Sequence, residues 1–117
     1  MVGIVKSGSG THHKIMPKDN SVIKEAVGFI PYPGTLNVRL NERLQLSAPI
    51  IVHGLMWLYP IMVNGLPCYA IRRSGPYQDN ITGALGIMAP VCLRDKFNLK
   101  DGDTVNVEVV KRCVYSA

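Results

Sequence analysis

Met56-Trp57-Leu58-Tyr59-Pro60-Ile61-Met62-Val63, then Asn64-Gly65, then Leu66-Pro67 and Cys68-Tyr69-Ala70-Ile71-Arg72 is the stretch that decides the fold. Two apolar runs containing aromatic and β-branched residues flank a two-residue Asn-Gly. A type I′ turn needs positive φ at both central positions, which Asn-Gly accepts at low steric cost. The spacing predicts a β-hairpin with strands at Met56–Val63 and Cys68–Arg72.

The same signals recur on both sides. Ile50-Ile51-Val52-His53 reads as a strand before the hairpin. Thr35 to Leu40 alternates strictly, with Leu36, Val38 and Leu40 on one face and Thr35, Asn37 and Arg39 on the other. Val2–Lys6, Ala84–Met88 and Thr104–Val110 complete the strands, and Ile15-Met16 is a short strand or edge. Pro17 to Val27 is the helix candidate. Asp19, Asn20 or Ser21 can cap its start, Val22, Ile23, Ala26 and Val27 form its apolar stripe, and Gly28 ends it. Pro31, Pro33 and Gly34 mark a rigid turn, Lys100-Asp101-Gly102-Asp103 another, and Leu93–Phe97 one helical turn. About six strands at short spacing imply a mainly β protein with one or two short helices, folded as a small closed or partly closed barrel.

Composition narrows the class. The chain has 117 residues, which predicts a single domain over 1–117, and 47% hydrophobic residues supply a core. Only 18% are charged, which excludes a disordered chain. The net charge of +5 favours anionic partners such as nucleotides or phosphates. The basic residues are dispersed, with Arg72-Arg73 and Lys111-Arg112 the densest pairs, so the pattern argues against a nucleic-acid partner. Cys68, Cys92 and Cys113 form no Cys-x-x-Cys pair, which argues against a disulfide framework or zinc site and predicts a reducing, cytoplasmic setting. Met1 to Lys6 contains no long apolar run of the signal-peptide kind. The apolar stretch Ala48 to Val63 is interrupted by His53, Gly54 and two prolines, so no membrane span is expected.

Four segments could carry chemistry. Gly8-Ser9-Gly10 follows a strand, and its backbone amides could cradle a phosphate. It lacks the Gly-Lys-Ser/Thr ending of a Walker loop, and alone it is an ordinary turn. Thr35 and Asn37 share a strand face, where their oxygens could hold a hard cation such as Mg²⁺, or simply pair with neighbouring strands. His12-His13-Lys14 suits a basic rim better than a chelate, because adjacent strand residues point apart. Ser74 to Thr82 is a polar loop after a strand that ends near Arg72-Arg73, and in it Asp79 is a candidate general base or ligand, or one more solvated side chain. There is no Gly-x-Ser-x-Gly nucleophile motif.

Three blocks in order change these weights. They are Gly3-Ile4-Val5-Lys6-Ser7-Gly8-Ser9-Gly10, Gly28-Phe29-Ile30-Pro31-Tyr32-Pro33-Gly34-Thr35-Leu36-Asn37-Val38-Arg39-Leu40, and Ala89-Pro90 through Leu93-Arg94 to Phe97-Asn98-Leu99-Lys100-Asp101-Gly102-Asp103. Together they resemble the archaeal-type, CTP-dependent riboflavin kinases. The resemblance implies a small six-stranded cradle-loop (RIFT-type) β-barrel. It implies transfer of the γ-phosphoryl of CTP to the 5′-hydroxyl of riboflavin, giving FMN and CDP. By the same resemblance, Gly8, Ser9, Gly10, Thr11, His12, His13 and Lys14 bind the nucleotide together with Val91, Cys92, Leu93 and Arg94, and Thr35 and Asn37 bind Mg²⁺.

The chain departs from that family on the acceptor side. Family members commonly place a flavin-contacting glutamate shortly before Ala-Pro, where this chain has Leu85-Gly86-Ile87-Met88. The flavin-binding threonine has Thr82 as a substitute at a different spacing. The middle, from about Asn41 to Gly86, matches poorly, and shortening is expected there. Two other readings stay open: a kinase of the same fold acting on another small alcohol, and a non-catalytic nucleotide- or DNA-binding barrel. Leu99 to Val105 also resembles the ending of DNA-binding barrels of the transition-state-regulator type.

Overall fold

The computed structural model describes residues 1–6, 15, 17–46, 49–52, 56–72 and 81–110, with only the backbone described at 81 and 82. In chain order the elements are β1 (Val2–Lys6), a 3₁₀ turn (Pro17–Asp19), α1 (Asn20–Val27), β2 (Leu36–Leu44), β3 (Ile50–Val52), β4 (Met56–Val63), β5 (Leu66–Arg72), β6 (Ile81–Met88), α2 (Leu93–Lys96) and β7 (Thr104–Val109). All strand pairings are antiparallel.

The β4–β5 hairpin forms as its sequence demands. Val63 pairs with Leu66, and Asn64 and Gly65 take φ values of 49° and 84°. The sheet order is β3-β4-β5-β6-β2-β1-β7, and a further pairing of β4 with β7 brings the sheet back on itself. Six strands thus make a barrel-like ring, in keeping with the expected count. The three-residue β3 is a seventh strand that shares one edge of β4 with β7. It pairs with Met56–Leu58, whereas β7 pairs with Ile61–Val63. Pro60, which has no amide hydrogen to give, falls between those two stretches.

Burial explains why some strands alternate and others read as continuous apolar runs. Val5, Leu36, Val38, Leu40, Ile61 and Val107 belong to the interior cluster, and β2 turns Arg39 outward to solvent. Leu58, Ile71 and Met88, one each from β4, β5 and β6, face the other way. They form a second cluster with Val52, Met56, Ile15 and Ile23. Ala70 and Ile71 are both buried, as are Ile87 and Met88, because α1 covers the outer face of these strands while the ring encloses the inner one.

The structure corrects several sequence expectations. Asp19 occupies the helix N-cap but makes no side-chain cap bond, and neither Asn20 nor Ser21 is the capping residue. The preceding 3₁₀ turn holds Asp19 at φ −94°, ψ −6°, outside the extended conformation that a capping side chain needs. Gly28 does end the helix, with φ 91° and its amide donating to the Lys24 carbonyl at 2.8 Å. Ile15 is buried but belongs to no strand; its amide donates to the Pro33 carbonyl at 2.7 Å. Strand β2 continues past Leu40 to Leu44 through a register shift against β6. The shift returns Leu44 to the interior after the exposed Asn41-Glu42-Arg43. Strand β6 starts at Ile81, so Thr82 lies in a strand and not in the polar loop.

Cys68 is enclosed in the interior, and burial pushes its thiol up to about 12. It is a structural residue in this fold. Among the described residues no helix is long and apolar enough to cross a membrane.

Ile23 is the fully buried residue of α1. Ile23→Ala is expected to cost about 2–5 kcal/mol in urea denaturation, as for other large-to-small core changes. A cost under about 1 kcal/mol would mean that α1 is not anchored on the outer cluster.

Candidate functional site

The three sequence blocks meet at the end of β1. Lys6 is its last residue and pairs across the sheet with Asn37 of β2. The Lys6 carbonyl also accepts a hydrogen bond from Arg94 Nη2 at 3.1 Å, and the same nitrogen pairs with Asp101 Oδ1 at 2.7 Å. Just upstream, the Val5 amide donates to the Asp103 carbonyl and the Gly102 amide donates to the Val5 carbonyl, each at 2.8 Å. The Lys100–Asp103 turn is closed by its own bonds, with the Asp103 amide donating to the Lys100 carbonyl and the Lys100 amide to Asp103 Oδ2. Residues far apart in sequence therefore fix one strand end.

The second and third blocks are also stitched to each other. The Tyr32 amide donates to the Ala89 carbonyl at 2.8 Å. The Tyr32 ring lies over Gly34, where an added Cβ would meet Tyr32 Cε2 at 3.3 Å. The neighbouring Cys92 side chain, with a smaller contribution from Asp95, holds the Tyr32 phenol above its ordinary range.

Thr35 and Asn37 fit a hard cation on two observations. Thr35 Oγ1 is buried and has no hydrogen-bond partner among the described residues. A buried hydroxyl in that state is costly unless something else engages it. Asn37 pairs with Gly86 of β6, and its Oδ1 lies 4.0 Å from where a Cβ on Gly86 would stand. The carboxamide thus sits over a position that has no side chain. Two neutral oxygens suit Mg²⁺, which keeps several waters and takes its remaining ligands from phosphates. Among the described residues no cluster of three or more His, Cys, Asp or Glu is placed to hold a metal.

Of the other nucleotide candidates, Val91 is 40% exposed and Cys92 is half-buried. Leu93 is only 4% exposed, with its side chain in the interior cluster, so it offers a ligand its backbone alone. Arg94 is already engaged with Lys6 and Asp101. Gly8, Ser9, Gly10, Thr11, His12, His13, Lys14 and Asp79 lie outside the described residues, and Thr82 is described by its backbone alone. Sequence reasoning missed Tyr32, Lys6, Asp101 and Gly86 as site neighbours. The signal for Tyr32 was its place in the Pro31-Tyr32-Pro33-Gly34 turn, and that for Gly86 was the lack of an acid beside it.

Comparison with known proteins shows the family. Residues 5–109 match a family model named for CTP-dependent riboflavin kinase and described as a domain of unknown function, DUF120. The chain belongs to that family. It is 37% identical over 129 aligned residues to riboflavin kinase of Pyrococcus abyssi, which covers 94% of this chain and 58% of that protein. It is 33% identical to riboflavin kinase of Thermococcus kodakarensis, over 95% of this chain and 59% of the relative. The riboflavin kinase of Saccharolobus solfataricus is 32% identical over 87% of this chain and 67% of its own length. The chain therefore spans roughly half to two thirds of the curated relatives it matches. The first alignment is also longer than the 117-residue chain, so that relative carries extra residues inside the matched stretch.

The Tyr32–Cys92 contact has a pH signature. Cys92→Ala removes the largest contribution raising the phenol, so Tyr32 is expected to ionise at lower pH, nearer the ordinary value of about 10. Titration of the tyrosine Cζ resonances would check this, and an unmoved Tyr32 curve would contradict the contact.

Proposed function

We propose that this chain is a CTP-dependent riboflavin kinase, transferring the γ-phosphoryl of CTP to the riboflavin 5′-hydroxyl to give FMN and CDP. The observation that carries the reading is the convergence at Lys6 of the three blocks by which the chain resembles its family. The relatives' printed activity supports the same reading.

Phosphoryl transfer asks mainly for positioning and charge neutralisation. The chain offers both at one strand end. Lys6 is an exposed cation at the end of β1. Val91 and Cys92 present accessible surface just before Leu93, which is locked into the core, and Arg94, which reaches the Lys6 carbonyl. Thr35 and Asn37 would hold Mg²⁺, which when bound would supply charge neutralisation to the phosphates. The rigid Pro31–Gly34 turn keeps Thr35 at the start of β2, and β2 keeps Asn37 in register with Lys6.

The acceptor side is distinct. Gly86 occupies the outer-face position opposite Asn37, and the stretch Leu85 to Met88 brings no carboxylate there. Any contact to the flavin at this point is made by other groups. Transfer to a different small alcohol is the second reading that this feature favours.

The test is a phosphorylation assay with riboflavin, Mg²⁺ and either CTP or ATP, with FMN read by chromatography. FMN is expected with CTP and little with ATP. Thr35→Ala combined with Asn37→Ala is expected to lower the rate by about 10²-fold or more. The melting temperature should change little, because Thr35 Oγ1 bonds no described residue. No FMN from folded protein with either nucleotide would overturn riboflavin as the acceptor. A fully active double variant would overturn the metal assignment.

A further inference from the structure

We infer that Arg94 is a positioning residue that fixes the end of β1 against β2, and not a direct ligand of the nucleotide. The inference rests on the proposed function for its relevance to catalysis and on the geometry alone for its placement.

Three observations carry it. First, Arg94 Nη2 is already committed to two acceptors, the Lys6 carbonyl at 3.1 Å and the Asp101 carboxylate at 2.7 Å. A guanidinium neutralised by a carboxylate at that distance is a weaker attractor for phosphate than a free one. Second, its base is held rigidly. The neighbouring Leu93 is buried in the interior, and the Arg94 carbonyl accepts the Leu99 amide at 2.8 Å. Third, the atom it grips is the carbonyl of the last residue of β1. Lys6 is where β1 stops, and Asn37 is its partner across the sheet. Strand ends fray unless their backbone groups find partners. Arg94 supplies one from outside the sheet, and Asp101 holds Arg94 in place. Through Lys6, the pair sets the register at which Asn37 meets the strand end.

The two roles make opposite predictions for Asp101. If Arg94 bound phosphate directly, Asp101→Ala would free it and leave nucleotide binding unchanged or tighter. If Arg94 acts through the strand end, Asp101→Ala imitates Arg94→Ala. The experiment is a double-mutant cycle of Arg94→Ala and Asp101→Ala, reading Mg²⁺·CDP affinity by calorimetry and the Lys6 and Asn37 amide resonances without ligand. Each single variant is expected to weaken binding by roughly three- to tenfold, with the double variant no weaker than either. Both should shift the Lys6 and Asn37 amides. Unimpaired binding in Asp101→Ala, additive losses, or unmoved amides in either variant would overturn the inference. Absence of any CDP binding by the unaltered protein would instead overturn the proposed function, and the amide shifts would then decide the positioning role alone. Because both side chains are at least a third exposed, the fold is expected to survive each change.

Discussion

Ile61 to Val63 of β4 pairs with β5 on one side and with β7 on the other, and this double pairing closes the sheet. Closure removes the open edges that a sheet of this length would otherwise present. It also encloses a volume that must be filled, and Val5, Val38, Leu40, Ile61, Leu85, Ile87 and Val107 fill it with almost no exposure. Among the described residues no polar or charged residue is buried as a whole; the buried atoms Thr35 Oγ1 and Arg72 Nε belong to partly exposed residues. The hydrophobic effect therefore acts on the ring without a compensating desolvation cost in the interior.

Once the ring is closed, everything polar must lie on its outside or at its ends. The outer face divides in two. Over β3 to β6 it is apolar and covered by α1. Toward β1 and β2 it carries Lys6, Asn37 and the bare Gly86. That boundary is where the Pro31–Gly34 turn and the Ala89–Arg94 segment cross, tied together through Tyr32 and Ala89. A site built here stands on strands with both neighbours in place, which favours fixed geometry over adjustment on binding. Thr35 Oγ1 is buried here with no hydrogen-bond partner among the described residues.

Much of this was legible in the sequence, for local reasons. Asn64-Gly65 specifies its turn through backbone conformation alone, and Leu36, Val38 and Leu40 specify their face through period two. What the sequence hid depends on long-range packing. The apolar runs of β4 and β5 do not say which residue faces the ring and which faces α1, because both faces are covered. The register shift after Leu40 is marked on the partner strand alone, by Gly83 at φ 89°, while β2 itself has no glycine or proline there to announce it. The 3₁₀ entry to α1 overrode the expected side-chain cap. At the site, Thr35 and Asn37 were legible as a pair on one strand face. The engagement of Arg94 by Asp101 was not, since they stand seven positions apart across a turn whose closure rests on Asp103.

The central claim is the proposal that the nucleotide and cation bind at the strand end at Lys6, where Asn37 pairs with it and Arg94 reaches its carbonyl. Amide chemical-shift mapping with CDP and Mg²⁺ tests it most directly. The account predicts that the largest perturbations fall at Lys6, Thr35, Asn37, Gly86 and Val91 to Arg94, that those at Thr35 and Asn37 require Mg²⁺, and that Asn64 and Gly65 stay still. Perturbations centred on the Asn64-Gly65 hairpin, or spread with no focus at Lys6, would contradict it.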